Sequence, residues 1–266
     1  CSFDAAMKRL GGEVISVAES TSSAKKGETI EDTVRCLQCY CDVLVLRHPV
    51  VGTAAKAAAA ANKPVLNAGD GTGEHPTQAL LDLFTVVSSH SGAKLPGGVD
   101  GGVDLSALTL TLLGDLKHGR TVHSLAKLAA RLERPPKMHL IAPDALRMPD
   151  AILTEMSSQG VTVSTGESLG EAMPEADVLY VTRVQKERFG TPEAYEAVKG
   201  LYVVDAATMQ AAKKDMLVLH PLPRVDEIAT EVDSDPRAAY FVQMENGMYV
   251  RMALLALVCG ADLSQL

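Results

Sequence analysis

Leu108-Thr109-Leu110-Thr111-Leu112-Leu113-Gly114-Asp115-Leu116-Lys117-His118-Gly119-Arg120 is a leucine-rich, uncharged run that stops at a glycine and a cluster of cationic side chains. The same junction recurs four more times: residues 43–46 before Arg47-His48-Pro49, 64–66 before Asn67 and His75-Pro76-Thr77-Gln78, 178–181 before Thr182-Arg183-Val184-Gln185-Lys186-Glu187-Arg188, and 216–219 before His220-Pro221-Leu222-Pro223-Arg224. Short, continuous apolar runs separated by helical stretches read as parallel strands buried on both faces. Open α/β sheets bind ligands beyond the carboxyl ends of such strands, so the clusters point to one cationic pocket. A small, multiply anionic substrate would suit it.

Working outward, the expected helices cover 3–10, 29–40, 52–61, 76–89, 120–132, 149–158, 168–173, 191–197 and 206–213. A last helix covers 247–258. Further strands are expected at 13–17, 137–142, 161–163 and 202–204. Residues 92–102 hold five glycines and Pro96 and read as an insertion or linker between two α/β series. The fold expected is therefore α/β, with two doubly wound parallel-sheet domains flanking a cleft. The expected boundaries are 1–91 and 103–246, with 247–266 returning to the first domain.

The 266 residues, 47% of them apolar, are ample for such cores. A net charge of −8 argues against a general nucleic-acid binder, so the strand-end cations are local features. No uninterrupted apolar stretch of about 20 residues is present, which argues against a membrane span. The first residue is Cys1, and we read the amino terminus as a cut. Five cysteines, with Cys36, Cys39 and Cys41 in one segment, lack a second pair for a zinc knuckle. Buried free thiols in a cytoplasmic protein are the expectation.

His75 sits where a glycine-rich loop becomes a helix. Unpaired backbone N–H groups and the helix dipole favour a phosphate or a polarised carbonyl there, and favour a neutral imidazole that donates one hydrogen bond. A simple capping role for His75 is the other reading. Gly69-Asp70-Gly71-Thr72-Gly73 lacks both the dinucleotide fingerprint and the Gly-Lys-Ser/Thr of a P-loop. Arg120 falls at a helix start, where the dipole gives a guanidinium nothing, and a facing anion would explain it. Arg183 and Gln185 are two apart and can share one side of an extended segment; forked recognition of a carboxylate and surface ion pairing both remain open for this charge run. Pro221 and Pro223 stiffen the backbone around Leu222. Ser22, Lys25 and Lys26 lie in a polar loop that is either simply mobile or a lid over a bound anion.

Taken together, Lys25-Lys26-Gly27-Glu28-Thr29, Arg47-His48-Pro49, Asn67-Ala68-Gly69-Asp70-Gly71, His75-Pro76-Thr77-Gln78, Gly119-Arg120-Thr121-Val122-His123-Ser124, the 182–188 run and His220-Pro221-Leu222-Pro223-Arg224 resemble the aspartate carbamoyltransferase family. The resemblance implies transfer of the carbamoyl group of carbamoyl phosphate to the α-amine of L-aspartate in pyrimidine synthesis. It assigns carbamoyl phosphate to Arg47, His75 and Gln78, with Ser22 and Lys26 reaching into a neighbouring subunit's site within a homotrimer. It makes Arg47, His75 and Lys26 the catalytic residues. Aspartate falls to Arg120, Arg183 and Gln185, with backbone contacts from Leu222 and Pro223. It implies no metal and no organic cofactor. The family's Ser-Thr-Arg-Thr motif should precede Ser2-Phe3 and is not in this sequence, so the first domain is expected to be incomplete and this stretch alone inactive. Residues 231–249 resemble the version fused into the multifunctional pyrimidine-synthesis polypeptides of eukaryotes. Ornithine carbamoyltransferase is the nearest rival; its His-Cys-Leu-Pro is His-Pro-Leu-Pro here, and its Ser-Met-Gly loop is missing. A non-catalytic, oligomerising relic is the alternative outside enzymology.

Overall fold

The computed structural model describes residues 1–18, 27–90 and 103–262. The chain divides into two compact units, 1–77 with 245–266, and 78–244.

In the first unit α1 (Ser2–Arg9) is followed by α2 (Ile30–Leu37), whose start is fixed by Thr29 accepting the Asp32 N–H at 3.2 Å. A βαβ turn follows: β1 (Leu44–His48), the Ala-rich α3 (Thr53–Ala60) and β2 (Val65–Asp70), with the strands parallel. The register shifts between Leu46 and His48, so Arg47 sits at the irregularity. Residues 13–17 form no strand. Val14, Ile15 and Val17 are exposed, and a β-favouring composition without a neighbour to complete the ladder leaves the segment irregular.

The second unit is a five-stranded, all-parallel sheet. Its elements are β3 (Thr109–Leu113), α5 (Arg120–Ala130), β4 (Lys137–Ile141), α6 (Asp150–Ser158), β5 (Val163–Gly166), α7 (Leu169–Ala172), β6 (Val178–Val181), α8 (Pro192–Glu196), α9 (Ala206–Gln210) and β7 (Leu217–Leu219). The strand order is β5-β4-β3-β6-β7, a doubly wound arrangement whose direction reverses between β3 and β6. Alternation along each strand divides the core. Leu110, Leu112, Leu140 and Tyr180 pack with the residues of α5 and α6 on one face, whereas Leu113, Ile141, Leu179 and Val181 pack with Ala172 and Met209 on the other. Both faces are buried, which is why β6 and β7 read as unbroken apolar runs and β3 as a leucine-rich one. Full burial of one such Leu is worth about 2 kcal/mol of transfer free energy.

Residues 92–102, where the linker is expected, lie outside the described residues, and by contacts the two units part after Thr77. The reason is that α4 (Pro76–His90) packs Ala79 and Val86 into the core of the second unit. The last helix, α10 (Tyr240–Val258), starts seven residues earlier than expected, because Gly247 lies inside it. A helix with enough buried contact absorbs the ~1 kcal/mol handicap of an internal glycine. The strand expected at 202–204 shrinks to a single bridge from Val204 to Ile228, and that expected at 161–163 is displaced to Val163–Gly166. The cysteines are free but not buried: Cys1, Cys36, Cys39 and Cys259 are exposed and Cys41 is half-buried. No helix among the described residues is long and apolar enough to cross a membrane.

Candidate active site

In the second unit the site grows from the reversal between β3 and β6. Gly114, with φ +110°, ends β3, and a Cβ there would come within 2.5 Å of the Thr182 carbonyl oxygen. Only glycine allows this approach. Thr182 closes the seam by donating its N–H and its hydroxyl to the Leu113 carbonyl, at 2.9 and 3.0 Å. The two loops that leave here carry Arg120, at the first turn of α5, and Arg183, two residues past β6; both are half-buried. Asp115, fully buried, ties the loops together. It accepts the His118 N–H at 2.9 Å, the His118 Nδ1 at 3.1 Å and the Gln185 N–H at 3.4 Å. The Gln185 amide nitrogen donates to the His118 carbonyl at 3.2 Å, so part of this side chain holds the β3–α5 loop. No side chain caps α5, whose Gly119 N-cap would place a Cβ 2.5 Å from the Asp115 carbonyl oxygen. The first N–H groups of that helix therefore lack a side-chain acceptor at the cap.

A second loop of the same unit follows β7. Leu222 donates its N–H to His220 Nδ1 at 2.8 Å, which leaves Nε2 to carry the ring hydrogen and donate to Glu227 at 2.7 Å. The other Glu227 oxygen accepts the Val225 and Asp226 N–H groups, both at 3.1 Å. Burial pushes the Glu227 carboxyl up, but the hydrogen bonds from His220 and the backbone outweigh it and hold the group below the usual carboxylate range. Leu222 has φ +50° and the Leu222–Pro223 peptide is cis. The loop is thus a closed, internally bonded hook, and Leu222 and Pro223 lie at its bend.

In the first unit Arg47 is exposed on β1 and His75 is buried immediately before α4. The turn between β2 and α4 is tightly built. Gly71 donates to the His48 carbonyl at 2.8 Å, Asp70 accepts the Gly52 N–H at 2.9 Å, and Gly69 donates to the Asn67 side chain at 2.8 Å. Gln78, also expected to bind carbamoyl phosphate, belongs with the second unit, buried, with its amide nitrogen 2.8 Å from Asp82 Oδ1. Ser22 and Lys26 lie outside the described residues. Among the described residues no group of three or more His, Cys, Asp or Glu could hold a metal ion.

Sequence reasoning missed the carboxylates that organise these loops. Asp82 left a signal: it is the one charged residue in the otherwise apolar run 79–84, one helical turn beyond Gln78. Asp115 follows a strand-ending glycine. Glu227 lies seven residues beyond the histidine it pairs with, too far for any local periodicity.

Comparison with known proteins is consistent over nearly all of the chain. Residues 1–88 match the carbamoyl-phosphate-binding domain model of aspartate/ornithine carbamoyltransferase, and 106–258 match its aspartate/ornithine-binding domain model. The aspartate carbamoyltransferase catalytic subunit of Methanopyrus kandleri is 50% identical, over 97% of this chain and 80% of its own length. The multifunctional protein pyr1-3 of Dictyostelium discoideum is 51% identical over 98% of this chain, which spans only 11% of that protein. The crystal structure of Trypanosoma cruzi aspartate transcarbamoylase with aspartate and phosphate superposes with a TM-score of 0.82 at 48% identity, covering 98% of this chain and 77% of that one.

Proposed function

The chain belongs to the aspartate/ornithine carbamoyltransferase family, and on that premise we propose that it serves aspartate carbamoylation: carbamoyl phosphate and L-aspartate give N-carbamoyl-L-aspartate and phosphate, an early step of pyrimidine synthesis. The observation that carries this reading is the pair Arg120 and Arg183, half-buried on the two loops that part at the sheet reversal, with Gln185 bound to the same framework. Two guanidinium groups suit a substrate with two carboxylates. The cationic side chain of ornithine would be repelled there.

In this reading Arg47 and His75 act at the carbonyl oxygen of carbamoyl phosphate and Gln78 at its amino group. Arg120, Arg183 and Gln185 hold the aspartate carboxylates, and the carbonyls of the Leu222–Pro223 hook orient the amine. The amine nitrogen attacks the carbamoyl carbon, charge collects on the carbonyl oxygen, and the carbon–oxygen bond to phosphate breaks. The departing phosphate takes the amine proton, so no side-chain base is needed. Fixed donors and exact placement supply the acceleration. The test is turnover by the full-length protein with a Ser-Thr-Arg-Thr segment in place. L-Aspartate should be carbamoylated and L-ornithine left essentially untouched. Comparable turnover of both amines would sink the reading, and a well-folded protein silent with both would favour a non-catalytic one.

The proposal extends to a homotrimer in which Ser22 and Lys26 complete a neighbour's site. It rests on the likeness of Lys25-Lys26-Gly27-Glu28-Thr29 to the family pattern. Likeness to two proteins named multifunctional supports a setting fused to other activities. Lys26→Ala and Arg183→Ala subunits, each impaired alone, should regain activity when dissociated, mixed and reassembled, because a head-to-tail ring then contains interfaces with both residues intact. Activity equal to the mean of the two pure mutants, with exchange verified by mass, would place Lys26 in its own chain's site or in none.

A further inference from the structure

Asp82 lies on α4 with no solvent exposure, one turn beyond Gln78. Its Oδ1 faces two amide nitrogens, Gln78 Nε2 at 2.8 Å and Gln243 Nε2 at 2.6 Å. An oxygen receiving two N–H groups fixes which way each amide points: nitrogen toward Asp82, oxygen away. For Gln243 the result is visible, since its oxygen accepts the His220 N–H at 2.9 Å, at the root of the hook that carries Leu222 and Pro223. For Gln78 the same logic turns the amide oxygen away from Asp82 and leaves it as an acceptor. Burial together with the nearby Asp82 charge pushes the pKa of the fully buried Tyr180 hydroxyl well above the ordinary value, so the group keeps its proton.

We infer that Asp82 is a positioning residue for carbamoyl transfer, setting the polarity of the Gln78 amide to receive an N–H of the carbamoyl group and, through Gln243, anchoring the backbone of the His220–Arg224 hook. The inference rests on the carbamoyltransferase reading. The chemistry is specific: a Gln78 amide turned the other way would set its own N–H groups against those of the carbamoyl amine. A buried carboxylate flanked by amides is a poor choice for core packing alone, because apolar residues fill such space without leaving polar groups to satisfy. It is a good choice where orientation matters.

The experiment uses the full-length enzyme, with the unsubstituted protein as reference. Asp82→Leu removes the acceptor at similar volume and should raise the apparent KM for carbamoyl phosphate about tenfold, the effect of one lost oriented hydrogen bond. Asp82→Asn keeps Oδ1 and should restore KM to within about threefold. In a Gln78→Ala background Asp82→Leu should add less than about twofold, because its effect runs through a side chain already gone. Gln243→Met leaves Gln78 on Asp82, so it should raise the KM for aspartate severalfold and spare carbamoyl phosphate; it also carries the test if Asp82→Leu does not fold. A folded Asp82→Leu enzyme with unchanged KM values, fully additive losses with Gln78→Ala, or a Gln243→Met enzyme with both constants unchanged would each overturn the inference. A silent unsubstituted enzyme would instead remove the carbamoyltransferase reading itself.

Discussion

In the full-length enzyme, Arg183→Ala should lower kcat/KM for L-aspartate roughly thirtyfold or more while carbamoyl phosphate binds as before. Arg183 follows the buried Thr182, whose two hydrogen bonds to Leu113 fix the start of the loop. Removing one member of a desolvated charge pair costs about 2–5 kcal/mol, and about 1.4 kcal/mol is a factor of ten, so even the lower bound gives the stated loss. The measurement is initial rate against aspartate at saturating carbamoyl phosphate, paired with carbamoyl phosphate affinity measured without aspartate. Weakened carbamoyl phosphate binding with aspartate use spared would show that the two half-sites have been assigned the wrong way round.

His75→Ala should act on the other constant, reducing kcat about a hundredfold. An imidazole buried beside the amino terminus of a 15-residue helix is held by its surroundings before substrate arrives. A donor of that kind serves the oxyanion more than the ground-state carbonyl, and loss of one oxyanion donor typically lowers turnover by about a hundredfold to a thousandfold. Single-turnover rates at saturating substrates would separate this from a binding defect. A mutant with normal single-turnover rates but weak carbamoyl phosphate binding would make His75 a binding residue only.

The parts of the fold readable from sequence were those whose cause is local. The run from Leu108 to Leu113 carries no charge and is mostly leucine because β3 has neighbours on both edges and helices on both faces. The strand-end cations stood out for the same reason, as abrupt changes in polarity. What could not be read depended on distant partners. Residues 13–17 look like a strand, yet a strand exists only if something pairs with it. That Ala79 and Val86 of α4 pack with the core of the second unit likewise leaves no local mark in the sequence. Among the candidate site residues, Arg120 and Arg183 stand out in the sequence by their place after a strand. The partners that hold the loops, Asp115 with Gln185 across 70 residues and Asp82 with Gln243 across 161, have no short-range signature.

That last separation has a counterpart in the order in which the chain is made. The first unit is assembled from 1–77 and 245–266, with Arg251 of α10 resting 5.2 Å over the ring of Phe3. During synthesis at about 5–20 residues per second, the first 77 residues wait for the intervening 167-residue unit to emerge before α10 can close over them. The second unit is contiguous and can fold first, shortening the distance that the chain must then bridge. A stop codon or proteolytic cut near residue 245 would leave the Arg120 and Arg183 loops on an intact sheet and strip α10 from the portion bearing Arg47 and His75. Damage to residues 245–266 would therefore be felt in residues 1–77.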